Sequence, residues 1–339
     1  MMQAGLHIDL NAIRANWRAL DLAPETGAVV KADAYGLGLN RVARALAQVG
    51  VRSFFVAQVE EGVALREALG NGPEIYVFSG LMCASDAVHF RSNALIPCLN
   101  SLPQAADYRA NIAGHPFALQ YDTGMNRLGL EAADLAHLPD LGTPRLILSH
   151  LACADMPDHP QTLRQLSAFT AMAPQGRRSL SATGGIGLGP DYHFDITRPG
   201  IGLYGGAPFD AARPVVTLRL PVIQTRDVAI GESVGYGATW IAERPSRIAT
   251  ISSGYADGLI RAIGGGGASL WSGDTPCPLA GRVSMDLIGV DVTDLDHDPQ
   301  SLDILGPHQG IDALGKAAGT IGYEILTSLG ARYQRHYIG

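Results

Sequence analysis

Through about residue 210 the chain alternates short apolar runs with amphipathic stretches rich in Ala and Leu, and this rhythm constrains the fold more than any other feature. The apolar runs include Gly27 to Val30, Ser53 to Ala57, Glu74 to Phe78, Phe117 to Tyr121 and Arg145 to Leu151. Helix-like segments such as Leu39 to Gln48 and Val59 to Leu69 lie between them. Strand, helix, strand in repetition is the βαβ pattern of a parallel sheet, either a closed barrel or an open doubly wound sheet. From about Arg213 onward the texture changes to Val-, Ile- and Thr-rich runs broken by Gly, at Pro214 to Val228, Arg247 to Ser252 and Met285 to Val292. This half reads as mostly β. The alternation stops in the Pro-bearing stretch from Ala207 to Pro214, so the expected division is 1–212 and 213–339.

A length of 339 residues suits an α/β barrel plus something smaller, and 47% hydrophobic against 17% charged residues leaves ample apolar material for two cores. The net charge of −7, with no block of Lys and Arg, argues against nucleic acid or an anionic membrane as partner. No apolar run reaches the ~20 residues of a membrane span. Cys83, Cys98, Cys153 and Cys277 show neither close pairing nor zinc-ligand spacing, and no metal site is expected. The start MMQAGLHIDLNAI lacks the order of a secretory signal, which points to reduced cysteines in a cytoplasmic protein.

The strongest local signal is Val29-Val30-Lys31-Ala32-Asp33-Ala34-Tyr35-Gly36-Leu37-Gly38. A lysine ending an apolar strand points its amine at a barrel mouth, where barrel active sites lie. Partly desolvated, that amine can form a Schiff base with an aldehyde cofactor and later act as a base. From position alone, a lysine reaching for solvent is the better reading. The whole decapeptide, however, resembles the cofactor-lysine motif of the alanine racemase family.

The resemblance recurs in order through nearly the whole chain. Asp122-Thr123-Gly124-Met125-Asn126-Arg127-Leu128-Gly129 is similar to the family segment whose arginine binds the substrate carboxylate, a role suited to the guanidinium fork. Ser149-His150-Leu151 resembles the segment whose imidazole links the catalytic tyrosine to an arginine. That arginine corresponds to Arg198 in the run from Phe194 to Gly205, which also supplies the Gly200 and Ile201 N–H groups for the cofactor phosphate. Ser233-Val234-Gly235-Tyr236-Gly237-Ala238-Thr239-Trp240 resembles the motif of the second base, Tyr236. By the same resemblance Tyr35, Thr183 and Tyr323 bind phosphate, the Met285 N–H meets the substrate carboxylate, and Tyr255, Asp155 and Arg282 line an entrance corridor.

The resemblance implies a (β/α)8 barrel followed by a mostly β domain, pyridoxal 5′-phosphate on Lys31, and alanine, or another small amino acid such as serine, as substrate. It also implies a homodimer whose two chains share each active site, and D-alanine turnover serving cell-wall synthesis or alanine breakdown. The chemistry is consistent with these roles. A racemase must protonate a planar carbanion on the face opposite to deprotonation, so it needs one base on each face. Tyr, with an ordinary pKa near ~10, needs cationic help for this. Arg198 opposite the pyridine nitrogen keeps that nitrogen unprotonated and the ring a weaker electron sink. A decarboxylase on the same barrel plan would want an acid there, and a non-catalytic cofactor-binding barrel would lack the second domain.

Three departures from the family pattern stand out: Ala182-Thr183 stands where Asn-Ser is usual, Gln120 where many members carry a carbamylated lysine, and Asn126 where Gly is usual. Gln120 leaves Arg127 to be oriented by a neutral amide. Gly185-Ile186-Gly187-Leu188-Gly189 mimics part of a dinucleotide fingerprint but lacks its third spacing and its following helix. Gly264 to Gly267 reads as a mobile surface hairpin.

Overall fold

The structure, a computed structural model, describes residues 3–173, 175–265 and 267–339. It divides into two compact units, one of 13–203 with 208–212, the other of the residues up to Ala12 with 204–207 and 213–339.

In the first unit seven parallel strands lie side by side in chain order. They are Ala28–Val29, Ser53–Val56, Glu74–Val77, Ile96–Leu99, Ala118–Gln120, Leu146–Leu148 and Arg178–Ser179. The strand Ile196–Thr197 closes the ring, pairing in parallel with Glu25–Thr26 on one side. On its other side the Asp195 and Arg198 N–H groups donate to the Arg178 and Ser181 carbonyls at 3.1 and 2.8 Å. Val29 N–H reaches the Pro199 carbonyl at 2.9 Å. Closure leaves no edge unpaired, and the barrel alternative is the one adopted. The helices Leu39–Gln48 and Val59–Leu69 form where the periodicity places them. The first buries Leu39, Val42, Ala43 and Leu46, the i, i+3, i+4, i+7 stripe that a barrel-facing helix needs.

The two ends of the barrel differ. At the N-terminal ends of the strands, Arg177 pairs with Glu25 and Glu74 and donates to Tyr76 Oη at 3.0 Å. Ser53 Oγ adds a hydrogen bond to Glu25 at 2.6 Å. These groups satisfy one another and seal that end. Functional groups therefore gather at the opposite, C-terminal ends.

The second unit is built on the 13-residue strand Val216–Val228. Its first half pairs antiparallel with Gly5–Asp9 and Ser301–Leu305, its second half with Ser246–Ile251. A register shift between Val222 and Gln224, next to Pro221, which has no N–H to give, marks the change of partner. The chain's first strand lies between Val216–Val228 and the last strand, Gln334–Ile338. The glycine tract differs from expectation. Gly264 and Gly265 end a 3-10 helix, Arg261–Gly265, and a Cβ at Gly264 would stand 3.0 Å from Val283 N, so close backbone approach explains the glycine. Gly266 lies outside the described residues. Among the described residues, no helix is long and apolar enough to cross a membrane and no His/Cys/Asp/Glu group could hold a metal. All four cysteines are free.

Candidate active site

Lys31 leaves the strand Ala28–Val29 into a turn that the sequence does not announce. Ala32, Asp33, Ala34 and Tyr35 all have φ between 53° and 57°, a left-handed turn made without glycine. Each such residue costs about 1–2 kcal/mol, so the surroundings must hold it. The Glu61 carboxylate does much of this, accepting from Ala32 N–H and from the Ala57 and Gln58 N–H groups, the latter two at 2.7 and 3.2 Å. Asp33 Oδ1 accepts from Leu39 N–H at 2.7 Å and closes the far side. The Lys31 amine lies 6.0 Å from the Phe78 ring centroid. Burial, and then the Arg127 charge, push its pKa down, with Glu61 opposing them. An amine so placed is less firmly protonated than a surface lysine.

The Arg127 segment follows the strand Ala118–Gln120. Asp122 Oδ1 accepts from the Gly124, Met125 and Asn126 N–H groups at 2.8, 2.9 and 3.2 Å, which winds the chain tightly before Arg127. The Gln120 amide donates to the Leu128 carbonyl at 3.1 Å, so it braces the backbone beside Arg127.

Arg198 is 2% exposed and is held wholly by hydroxyls and carbonyls: Ser179 Oγ, Ser149 O at 2.6 Å and Leu180 O at 3.5 Å. Burial pushes its pKa down to about 10, which leaves it charged near neutrality. His150 lies within electrostatic reach of Arg198, Arg127 and Lys31, and burial followed by these three cations pushes its pKa down to about 3. The imidazole is therefore neutral.

Thr183 Oγ1 accepts from the Gly200 and Gly202 N–H groups at 3.1 and 3.2 Å and ties the loop after Thr197 to the start of the helix Thr183–Gly187. A Cβ at Gly200 would lie 2.4 Å from Tyr35 Oη, so glycine is what lets the phenol approach this loop. Ile201 N–H is buried and makes no hydrogen bond among the described residues. A glycine cradle, a hydroxyl and an orphan N–H suit a phosphate.

The second unit holds the remaining candidates. Tyr236 opens the turn Tyr236–Ala238 between Gly235 and Gly237, both at positive φ, and is 73% exposed. Arg282 packs against this turn, its Nη1 only 3.2 Å from where a Cβ at Gly237 would be. Tyr255 N–H donates to Ser284 O at 3.0 Å and Ala256 N–H to Met285 O at 2.9 Å, which joins the turns bearing Tyr255 and Met285. Arg332 clamps the same turns from below through Asp257 and Asp286 at 2.6 and 2.8 Å. Tyr323 is partly exposed on the helix Gly322–Ser328, and in the barrel unit Asp155 is exposed. The structure thus gathers Lys31, Tyr35, Arg127, His150, Thr183, Arg198, Gly200 and Ile201 within the barrel unit. It gathers Tyr236, Tyr255, Arg282, Met285 and Tyr323 within the other. Glu61 and Arg332 escaped sequence reasoning. A glutamate in a first helical turn and an arginine near a terminus are ordinary surface residues until their partners are seen.

Comparison with known proteins decides the family. Residues 8–208 match the profile "Alanine racemase, N-terminal domain" and residues 215–337 match "Alanine racemase, C-terminal domain". The chain belongs to the alanine racemase family. It is 58% identical to the alanine racemase of Dinoroseobacter shibae over 100% of this chain and 99% of that one, and 59% identical to that of Jannaschia sp. over 99% of each. Among solved structures, the Bartonella henselae alanine racemase with covalently bound pyridoxal phosphate superposes with a TM-score of 0.92 at 39% identity, over the whole of both chains. The biosynthetic alanine racemase of Pseudomonas aeruginosa gives 0.92 at 35%, again over the whole of both.

Two of the departures from the alanine racemase pattern have a physical account. Asn126 has φ 56°, a left-handed position where Gly is unstrained and Asn is the best-tolerated alternative. Thr183 supplies the hydroxyl that Ser would, its methyl being the nearest atom to a Cβ built at Gly202, at 2.7 Å. Nothing in the structure explains Ala182.

Proposed function

We propose that the chain interconverts L- and D-alanine by two-base proton transfer, with pyridoxal 5′-phosphate bound at Lys31, as a cytoplasmic homodimer whose chains share each site. The single observation that carries the cofactor chemistry is Arg198, a buried cation with no carboxylate among its partners in the described residues. Such a group can donate to a ring nitrogen but cannot protonate it, which favours racemisation over reactions that need a strong electron sink. The phosphate would rest against Tyr35, Thr183, Gly200, Ile201 and Tyr323. When bound, the cofactor supplies the electron-withdrawing system that acidifies the α-proton of the amino acid.

The chain's own residues do the rest. Arg127 and the Met285 N–H hold the substrate carboxylate, which fixes the α-carbon between two bases. Lys31 Nζ, its basicity lowered by burial and by Arg127, takes or returns a proton on one face. Tyr236 Oη serves the other face. His150, neutral beside the Arg198 charge, can accept a hydrogen bond without competing for the proton. The free cysteines support a reducing compartment.

The test is the fate of optical rotation. Purified protein that has taken up pyridoxal phosphate should bring L-alanine and D-alanine alike to zero rotation. Lys31→Ala should lose the yellow absorbance of the lysine-bound cofactor, and Tyr236→Phe should keep it while losing racemisation. Persistent rotation with cofactor bound to the wild type would reject the reading, and zero rotation only with serine would move the substrate.

A further inference from the structure

The helix Pro160–Met172 packs its first turns with polar residues where apolar ones are the norm. Thr162 and Gln165 are both fully buried. Gln165 has all its groups engaged: Oε1 accepts from Ala152 N–H at 2.8 Å, and Nε2 donates to the His150 carbonyl at 2.9 Å and to Thr123 Oγ1 at 3.3 Å. One turn earlier on the same helix, Gln161 Nε2 donates to the Gly124 carbonyl at 2.7 Å. Gly124 has φ 114°, a conformation that favours glycine, and a Cβ there would sit 2.9 Å from that same Nε2. Thr123 in turn shares a 2.8 Å hydrogen bond with Ser149 Oγ, and the Ser149 carbonyl is the acceptor that Arg198 holds at 2.6 Å. Two glutamines at i and i+4 thus grip the segment that leads to Arg127, and one of them also grips the backbone on both sides of Leu151.

We infer that Gln161 and Gln165 are positioning residues that set the affinity for the substrate carboxylate by fixing the Arg127 segment against the end of the strand that carries His150. The inference rests on the role proposed above for Arg127. Loops after barrel strands are otherwise free to drift, and a guanidinium must be held to within a fraction of an ångström to meet a carboxylate with both arms. An amide is suited to this because it donates and accepts at once and does not titrate.

The experiment uses the cofactor-loaded enzyme and two variants, Gln161→Met and Gln165→Met, which keep side-chain length and remove the hydrogen bonds. In Gln161→Met, KM should rise roughly five- to tenfold for both enantiomers, the effect of one lost hydrogen bond. Both enantiomers present the same carboxylate, so the factor should be the same. The dissociation constant of propionate, a carboxylate with no amino group, should rise by that factor, while kcat, cofactor content and thermal midpoint stay near wild type. Gln165→Met should act in the same direction and further. If that core variant fails to fold, Gln161→Met, at a partly exposed position, carries the test alone. Unchanged KM and propionate binding in Gln161→Met would overturn the inference. So would a fall in kcat at constant KM, or a rise in KM that merely follows cofactor loss. A wild type that binds propionate but does not racemise alanine would sink the functional reading, and the propionate comparison would still judge the clamp.

Discussion

At the scale of single residues, the site's electrostatics are set by three cations and one neutral ring. His150 titrates near 6.5 when unfolded and is pushed down to about 3 in the fold. Between those values the unfolded chain binds the extra proton, so stability falls as pH drops through that window and is fully present above it. From pH 7 to pH 5 this one ring should cost up to about 2 kcal/mol. Urea unfolding of the wild type and of His150→Gln at both pH values isolates it: the variant should show the flatter pH dependence. Equal slopes would mean that the ring is protonated in the fold and the cations around it are less effective than their burial implies.

At the scale of elements, the left-handed turn after Lys31 inverts the usual effect of glycine. Ala32 is exposed and has φ 53°, so Ala32→Gly removes backbone strain and should be neutral or stabilising by up to about 1 kcal/mol. Ala106 is exposed in the right-handed helix Leu102–Ile112, and Ala106→Gly should destabilise by about 1 kcal/mol. Thermal unfolding of the pair checks this, and two losses of equal size would mean that the turn is not strained. The same contrast marks what the sequence could reveal. Strands such as Ser53–Val56, buried on both faces, appear as unbroken apolar runs, and helices such as Leu39–Gln48 as stripes. Ala-Asp-Ala-Tyr has no residue that demands positive φ; contacts such as that from Glu61, 29 positions away from Ala32, help to impose it. Lys31, Arg127 and Arg198 were legible as motifs. Their supports, Glu61, Gln161, Gln165 and Arg332, were not, because a hydrogen bond to distant backbone leaves no local pattern.

At the scale of the whole molecule, the two proposed bases belong to different units, and a shared-site dimer makes a quantitative demand. Lys31→Ala and Tyr236→Phe subunits, each inactive alone, should regain about a quarter of wild-type activity after dissociation and random reassociation in equal amounts. About half of the dimers are then mixed, and each mixed dimer holds one site free of both defects. Zero activity after verified subunit exchange would place both bases of a site on one chain.

The chain's first strand, Gly5–Asp9, lies against its last, Gln334–Ile338, and against Val216–Val228 in the middle. During vectorial synthesis, then, Gly5–Asp9 leaves the ribosome long before either of its neighbours. The barrel segment, from Ile13 to Leu203, emerges in full before either neighbour exists. For some two hundred residues of elongation Leu6 and Ile8, both fully buried in the finished fold, have no neighbouring strand to pair with, and the second neighbour follows only with Gln334–Ile338. A gene split at the end of the barrel would strand residues 5–9 on the wrong fragment, and expressing the β-rich half by itself would require grafting them back.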